Sequence, residues 1–386
     1  MQVGFNYAFS REEYGLQVGP FPPTENWTED EVQWKEQRRW SEVSLQWNGN
    51  LPRTPVFREL DQNLAELKSL GISVVRWFIL CDGFNYGYGP TRKLRSDGDI
   101  EWTFDPPDRV DPRFPTYFAR ILYAFRTHRL QIIPSLIDFG FVGNSTQRNY
   151  YNFARGGRRE CVTDPTKRAQ FLNGVFASLL MASRAYPETI YAWEIVNEPE
   201  WMVLPNLNHP AQPLWGLANS ISAQYHNGRP LHSPIVRTSE LSDFLRDGLA
   251  LVRQSGFKST VGFRFYDQWA MFPGGTNPQF HYYAKPGASG FFGDPPSIPQ
   301  FAGDPKPILG EFASQHSRYS VPWPDLAGKT DTTLERLKLL ESRGCELCLF
   351  WPDFSAPKGA DGKIRGDPVK LAPETKRQIK TYTGVP

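Results

Sequence analysis

The chain has 386 residues, of which 40% are hydrophobic and 22% are charged, and this composition excludes disordered and collagen-like classes of protein. Lysine and arginine together number 43 against 41 acidic residues, and without a basic cluster this balance gives no electrostatic footprint for nucleic acid. No apolar run reaches the roughly 18 residues of a membrane span, so no membrane association is expected. The N-terminus lacks the pattern of a signal peptide, and the sequence leaves the compartment and the oligomeric state open.

Short β-branched or aromatic runs alternate with longer amphipathic stretches along the chain. The pattern predicts strands at 3–8, 74–80, 131–137, 191–197, 260–265, 280–284, 307–312 and 346–351. It predicts helices at 56–70, 114–128, 165–185, 240–254, 332–343 and 368–381. Repeated strand-then-helix units indicate a parallel sheet, and eight of them predict an α/β fold in which residues 1–386 form a single (β/α)₈ barrel.

Long connections follow several predicted strands, at 9–55, 81–112, 138–164 and 199–239. In a barrel of this type these connections gather at the C-terminal face, where active sites are built. Thr28 and Glu31 have the spacing of a capping box, which predicts an inserted helix at about 28–47 in the first of these loops. The segments 267–279 and 285–306 are too rich in glycine and proline for ordinary helices.

Two predicted strands end in a glutamate. In the run 191–200, YAWEIVNEPE, Pro199 stops the strand directly after Glu198, and in the run 307–312, PILGEF, Glu311 follows an apolar stretch. Because both strands end at the same face of one barrel, the two carboxyl groups are expected to face each other across its mouth. Such a pair suits glycoside hydrolysis, in which one carboxyl protonates the leaving oxygen and the other attacks the anomeric carbon.

With these residues the sequence resembles clan A of the retaining glycoside hydrolases, in particular family 5, the cellulases and β-mannanases. The resemblance rests on the runs 193–199, WEIVNEP, and 308–311, ILGE, and it extends over all eight predicted strands. It implies that Glu198 is the acid/base and Glu311 the nucleophile of a hydrolase acting on a β-linked poly- or oligosaccharide, with β-mannan or β-glucan favoured. It implies no cofactor, and six scattered histidines offer no metal cluster.

The resemblance also implies supporting roles for other residues. Arg76 would hydrogen-bond the nucleophile and hold it ionised, and Asn197 would bind the sugar 2-hydroxyl. His281 and Tyr283 share one strand face and would contact the acid/base and the nucleophile respectively. Trp351, in the run 349–352, would form the floor under the sugar at the cleavage point. Glu198, next to the negative charge of Glu311, is expected to titrate above it.

Two positions depart from the family pattern or need a partner. Family 5 often has a histidine at the end of the third strand, where this chain has Asp138. Asp138 either contacts the sugar or places the chain in a neighbouring family. Glu194 has the same strand parity as Glu198 and points into the barrel, where an ionised carboxyl needs a partner, and Arg264 is the expected one.

Alternatives remain within and outside this class. An exo-acting β-glycosidase or a transglycosylase of the same clan fits the same residues, since loop geometry separates an open cleft from a blind pocket. A non-catalytic carbohydrate-binding barrel is the alternative from another class, and the presence of Arg76 and Tyr283 beside both glutamates argues against it. The tryptophans of the inserted helix, Trp34, Trp40 and Trp47, either stack on sugar rings or seal that helix onto the barrel.

Overall fold

The computed structural model describes the following residues: 1–7, 9–10, 13–14, 55–80, 91–94, 100–103, 108–110, 114–142, 158–203, 236–266, 268, 272–284, 294–295, 297–317, 319–353 and 369–386. The helix predicted at about 28–47, with its three tryptophans, lies outside the described residues. Two short antiparallel hairpins are described beside the main sheet. Their strands are Phe9–Ser10 with Glu13–Tyr14, and Thr91–Leu94 with Ile100–Thr103.

Eight parallel strands close into a barrel. They are β1 Gln2–Asn6, β2 Val74–Phe78, β3 Gln131–Asp138, β4 Trp193–Asn197, β5 Ser259–Phe263, β6 Gln279–Tyr282, β7 Ile308–Phe312 and β8 Leu347–Phe350. Each strand pairs with its neighbours in chain order, and β1 closes the barrel by pairing with both β8 and β2. The predicted (β/α)₈ barrel is confirmed, and every predicted strand matches an observed one to within two residues at each end.

Helices surround the barrel. They are α1 Pro55–Ser69, α2 Phe114–Thr127, α3 Glu160–Thr163, α4 Pro165–Gln170, α5 Ala177–Ser183, α6 Thr238–Gln254, α7 Thr333–Ser342 and α8 Pro373–Thr383. A π-helical turn, Phe171–Phe176, joins α4 to α5. In the described part of the chain no α-helix separates β5 from β6 or β6 from β7, as the glycine and proline content predicts. None of the described helices is long and apolar enough to span a membrane.

Local sequence explains where the helices begin. The Asp164 side chain accepts hydrogen bonds from the backbone N–H groups of Thr166 and Lys167, and Pro165 occupies the first position of α4, where its missing N–H costs nothing. The Thr332 hydroxyl caps α7 in the same way by accepting from the backbone of Glu335. These caps fix the points at which the chain leaves the loops and packs against the barrel.

The hydrophobic core has two parts. The larger lies between strands and helices, where Trp193 packs against Phe118 and Phe176 with ring centroids 5.8 and 5.2 Å apart. The smaller is a cluster at the N-terminal end of the strands, made of Val74, Ile133, Tyr191, Ala192, Ile308, Leu347 and Leu349. Two residues further along β2 and β4 stand Arg76 and Glu194, both fully buried. The barrel interior therefore changes from apolar to charged toward its C-terminal face.

Candidate active site

Glu198 and Glu311 stand at the C-terminal ends of β4 and β7. Glu198 directly follows β4 and adopts a left-handed backbone conformation, with φ of 51°, before the 3₁₀ turn Pro199–Met202. Its backbone N–H donates to the carbonyl oxygen of Gly262 on β5 at 2.7 Å, which holds this uncommon conformation. Glu311 lies within β7, where the register of pairing with both neighbouring strands shifts. Irregular backbone thus turns both carboxyl groups toward the barrel mouth.

The two carboxyl groups lie close together with a histidine between them. One carboxylate oxygen of Glu198, one of Glu311 and one ring nitrogen of His281 all lie within 4.8 Å of one another. The Nδ1 atom of His281 is 2.9 Å from Glu198 Oε1 and 3.5 Å from Glu311 Oε2. Carboxyl pairs of retaining glycosidases lie about 5 to 5.5 Å apart, whereas those of inverting enzymes are separated by roughly 6.5 to 9.5 Å. The nearest carboxylate oxygens of Glu198 and Glu311 lie within 4.8 Å of each other, and this close approach favours the shorter range.

Arg76 joins most of the polar groups below the mouth, and all five of its N–H groups have acceptors. Nη1 donates to Glu311 Oε1 at 2.8 Å and to Asn6 Oδ1 at 2.9 Å, and Nη2 donates to Asn197 Oδ1 at 2.5 Å. Nε and Nη2 each donate to Glu194 at 2.6 Å. Burial acts to lower the pKa of Arg76, but the two carboxylates more than offset it and raise that pKa. The guanidinium is therefore a permanent positive charge under Glu311.

The expected pair of Glu194 with Arg264 is wrong, because Glu194 pairs with Arg76. Arg264 instead donates to Asp294, with 2.7 Å between Nη1 and Oδ1. The sequence parity placed Glu194 correctly inside the barrel, but parity does not give height along the barrel axis. Glu194 lies level with Thr260 on β5, and Arg264 stands four residues further along the chain. The guanidinium of Arg76 reaches across the barrel at the height of Glu194.

The chain makes room for this buried carboxylate. Glu194 also accepts hydrogen bonds from Ser135 Oγ at 2.7 Å and from Gln279 Nε2 at 2.6 Å. A Cβ atom on Gly262 would lie 2.9 Å from Glu194 Oε1, and a Cβ atom on Gly310 would lie 2.5 Å from Gln279 Nε2. Glycine at these two strand positions therefore leaves room for a buried polar layer, which consists of Glu194, Ser135 and Gln279.

Tyr283 and Asn197 also lie where the sequence predicts, near the two glutamates. The Tyr283 hydroxyl donates to Glu311 Oε2 at 2.7 Å, and its backbone N–H donates to Asp294 Oδ2 at 2.8 Å. Burial and the neighbouring Glu311 raise the pKa of Tyr283 well above its ordinary value, so the hydroxyl keeps its proton. Asn197 is nearly fully buried and, through its hydrogen bond to Arg76, joins the same network.

Trp351 and Asp138 end β8 and β3 at the same face of the barrel. Trp351 is partly exposed, its backbone N–H donates to Phe312 at 2.9 Å, and its ring lies edge-on to Phe78 with centroids 6.5 Å apart. Asp138 is fully buried, and its Oδ1 atom accepts from the backbone N–H of Gly140 at 2.9 Å. Partial exposure leaves Trp351 accessible to a ligand, whereas Asp138 is enclosed by the described residues.

The pKa order of the two glutamates is the reverse of the expected one. Burial raises the pKa of Glu311, and the charges of His281 and Arg76 offset only part of that rise. Burial also acts to raise the pKa of Glu198, but the hydrogen bond and charge of His281 more than offset it and lower that pKa. The expectation placed His281 beside Glu198 but based the pKa order on Arg76 and on the repulsion between the two carboxyls, without the effect of His281 on the pKa of Glu198.

Three further groups lie near Glu198 and Glu311 that the sequence did not indicate. Trp201 Nε1 donates to Glu198 Oε2 at 2.9 Å, and Asn6 binds Arg76 from the end of β1. Glu200 is almost fully buried, burial raises its pKa to about 8, and its Oε1 accepts from the backbone N–H of Phe265 at 3.2 Å. The position of Trp201, three residues after Glu198 and beyond a strand-ending proline, is the one sequence signal that could have indicated it.

Glu198, His281 and Glu311 are also the described residues whose ligand atoms lie close enough together to hold a metal ion. The facing oxygens are already bound to hydrogen-bond donors, since Glu198 accepts from His281 and Trp201 and Glu311 accepts from Arg76 and Tyr283. The fixed positive charge of Arg76, 2.8 Å from Glu311, opposes a cation there. The donor set therefore suits proton transfer better than metal binding.

No protein-family model matches the sequence, and no curated protein does. Solved structures are similar over nearly the whole chain. An endo-1,4-β-mannanase from Eisenia fetida matches with a TM-score of 0.58 and 16% identity, covering 99% of this chain and 91% of that one. A β-mannanase from the blue mussel Mytilus edulis matches with a TM-score of 0.51 and 13% identity, covering 96% and 93%.

A GH5 family lichenase from Caldicellulosiruptor sp. F32 matches with a TM-score of 0.50 and 10% identity, covering 99% of this chain and 92% of that one. These identities are low, so the likeness concerns the path of the backbone. The chain has the (β/α)₈ fold of these mannanases and of the family 5 lichenase.

Proposed function

We propose that this protein is a retaining β-glycoside hydrolase in which Glu311 is the nucleophile and Glu198 the acid/base. The observation that carries the proposal is the approach of their carboxylate oxygens to within 4.8 Å, at the mouth of the barrel. Inversion requires room for a water molecule between the base carboxylate and the anomeric carbon, and this close approach argues against such room. The side chain of Glu198 is 15% exposed and that of Glu311 only 5%, which suits a proton donor near solvent and a sheltered nucleophile.

The residues divide the reaction into two displacements. In the first, Glu311 attacks the anomeric carbon while Glu198 gives its proton to the leaving oxygen. In the second, Glu198 takes a proton from water, which attacks the glycosyl-enzyme and releases Glu311. Arg76 and Tyr283 donate to the two oxygens of Glu311 at 2.8 and 2.7 Å, so they orient the nucleophile and stabilise its charge whenever it is released.

The first step needs a proton on Glu198, and His281 is the neighbouring group that can exchange one with it. One proton can lie either on His281 or on Glu198, because a hydrogen bond of 2.9 Å joins the two side chains and the total number of protons is the same in both cases. The Nε2 atom of His281 is buried and has no hydrogen-bond partner among the described residues, so Nδ1 is the ring atom through which His281 contacts Glu198. The first step uses the arrangement with the proton on Glu198 beside an ionised Glu311, whereas the pKa directions of the two carboxyls favour the opposite arrangement.

A β-linked mannan or glucan is the proposed substrate class, with endo action favoured. Support comes from the fold shared with the two β-mannanases and the lichenase, and from partly exposed Trp351 at the barrel mouth. Exo action and transglycosylation use the same catalytic pair and differ in how the loops close the cleft. A non-catalytic glycan-binding barrel differs from all of these in having no turnover.

The test is a substrate screen followed by stereochemistry. Dye-linked β-mannan, β-glucan and β-xylan, together with aryl β-glycosides, identify the sugar, and proton NMR of the first product gives its anomeric configuration. We expect turnover with a β-anomer formed first. Glu311→Gln should abolish it, while Glu346→Gln, a carboxyl bound by Tyr191 and Asn277 at the opposite end of the barrel, should retain it. Binding without turnover, or an α-anomer formed first, would reject the proposal.

A further inference from the structure

The acid/base carboxyl has a second donor besides His281. Trp201 Nε1 donates to Glu198 Oε2 at 2.9 Å, whereas His281 Nδ1 contacts Oε1. The backbone N–H of Trp201 also donates to the carbonyl oxygen of Glu198 at 3.2 Å, which closes the 3₁₀ turn. Backbone and side chain of one residue therefore both bind Glu198.

The indole ring is held in place by the next strand. Its ring packs edge-on against Phe265, just beyond the end of β5, with centroids 5.7 Å apart and an interplanar angle of 70°. The backbone N–H of Phe265 in turn donates to Glu200 Oε1 at 3.2 Å, so the turn after β4 is held at the end of β5 through Glu200 as well as through the ring of Trp201. A ring fixed in this way holds its N–H in a fixed direction, which a loosely held side chain does not.

The indole N–H has a chemical property that the histidine lacks, because it donates and never accepts. Any proton on Glu198 Oε2 must therefore use the lone pair that Trp201 leaves open. Hydrogen bonds to an ionised carboxylate are also stronger than those to a neutral carboxyl. The bond from Trp201 thus strengthens as Glu198 loses its proton, and it weakens when the proton returns.

We propose that Trp201 is a positioning residue for Glu198, whose indole N–H directs the acid proton toward the leaving group and stabilises the carboxylate that forms as this proton departs. The inference rests on the proposed function and extends it to a residue that touches the acid/base but not the reacting carbon. An interaction that grows during proton transfer lowers the barrier of that step and affects substrate binding little.

The kinetic test compares two substrates whose leaving groups differ in their need for a proton from Glu198. Trp201→Phe keeps an aromatic ring against Phe265 and removes the N–H. Phenyl β-glycosides need a protonated leaving group, and dinitrophenyl β-glycosides do not. We expect the loss in kcat to be about tenfold larger on the phenyl substrate, the lower end of what a hydrogen bond to a charged group contributes. Equal losses on both substrates would overturn the proposal.

Trp193→Phe is the matched control. Trp193 lies on the same strand as the acid/base, its indole nitrogen is buried without a hydrogen-bond partner among the described residues, and it packs outward against Phe118 and Phe176. This variant removes an indole N–H and part of a ring without touching Glu198. Any loss it causes should be the same for both leaving groups, so a loss selective for the phenyl substrate would count against the proposal.

A second measurement requires no turnover. In the unmodified protein, NMR should show that the indole N–H resonance of Trp201 and the carboxyl carbon of Glu198 titrate together. In Trp201→Phe the midpoint of Glu198 should move up by about one pH unit, because a donor to the carboxylate has been lost. An unchanged midpoint would refute the role of Trp201. Absence of turnover by the unmodified protein with a shifted midpoint would instead reject the proposed function alone.

Discussion

Arg76 gives two N–H groups to Glu194 and only one to Glu311, so the cation beneath the proposed nucleophile is shared with a second, fully buried carboxylate. Shared in this way, the guanidinium lowers the pKa of Glu311 less than an isolated arginine would. The nucleophile remains more basic as a result, and a more basic carboxylate is a stronger attacking group.

Neutralising Glu194 should therefore shift the pH dependence of kcat/KM. In Glu194→Gln the charge of Arg76 acts undivided on Glu311 and lowers its pKa, so the limb of the kcat/KM profile that reports Glu311 should move to lower pH. Unpairing a buried ion also lowers the free energy of unfolding, by about 3 to 5 kcal/mol. In the control Glu346→Gln the replaced carboxyl accepts from the neutral donors Tyr191 and Asn277, so the pH profile of kcat/KM should stay in place. If neither limb moves to lower pH in Glu194→Gln, Arg76 does not divide its charge between Glu194 and Glu311 in this way.

Glu200 should make stability depend on pH. Burial raises its pKa from the ordinary 4.5 to about 8, so between these values the unfolded chain ionises Glu200 while the folded protein keeps it protonated. The stabilising contribution is thus complete below pH 4.5 and is lost as pH rises to about 8. Glu200→Gln removes this dependence, and its unfolding free energy should exceed that of the unmodified protein by an amount growing to a few kcal/mol near pH 8.

Denaturant unfolding between pH 4 and 9 measures this difference. Glu188→Gln is the control, since Glu188 is an exposed carboxyl that forms only a surface ion pair with Arg126 at 3.2 Å. A constant difference between Glu200→Gln and the unmodified protein at all pH values would show that Glu200 ionises normally.

Gly310 should not tolerate a methyl group. An alanine Cβ there would lie 2.5 Å from Gln279 Nε2, whose side chain is fixed by its hydrogen bond to Glu194. Overpacking of this kind costs roughly 1 to 3 kcal/mol, so Gly310→Ala should unfold at a lower denaturant concentration. Gly274→Ala is the matched control, because no atom of the described residues lies within 4 Å of its Cβ position. Equal stability of the two variants would mean that the polar layer adjusts freely.

Sequence periodicity predicted the strands well because parallel barrel strands are buried on both faces and appear as continuous apolar runs. The proline after Glu198 and the apolar run before Glu311 predicted two strand ends, and a barrel brings such ends together. The sequence contains no comparable signal for the height of a side chain along the barrel axis. The partner of Glu194 depends on how neighbouring strands are staggered. Because of this stagger, Arg76 rather than Arg264 lies beside Glu194.

The electrostatic details depend on contacts between distant segments. His281 is 83 residues from Glu198 along the chain, and only its approach to 2.9 Å decides which carboxyl it affects more strongly. Asn6 has no motif that distinguishes it from other strand-end residues, and Trp201 has only its position three residues after Glu198. Their roles follow from the directions of one amide and one indole N–H, which are fixed by packing.

The division of roles between Glu198 and Glu311 is tested most directly by azide rescue. Glu311→Ala opens space on the face where the nucleophile attacked, so azide should react in one displacement and give an α-glycosyl azide. Glu198→Ala should lose at least about 10²-fold in the rate of glycan hydrolysis, or about 2.7 kcal/mol, but should still hydrolyse dinitrophenyl glycosides. With this variant, azide should give the β-glycosyl azide after two displacements. The anomeric configuration of both products is read by proton NMR. Opposite anomers are the result that the account predicts, and identical anomers, or no rescue of either variant, would contradict it.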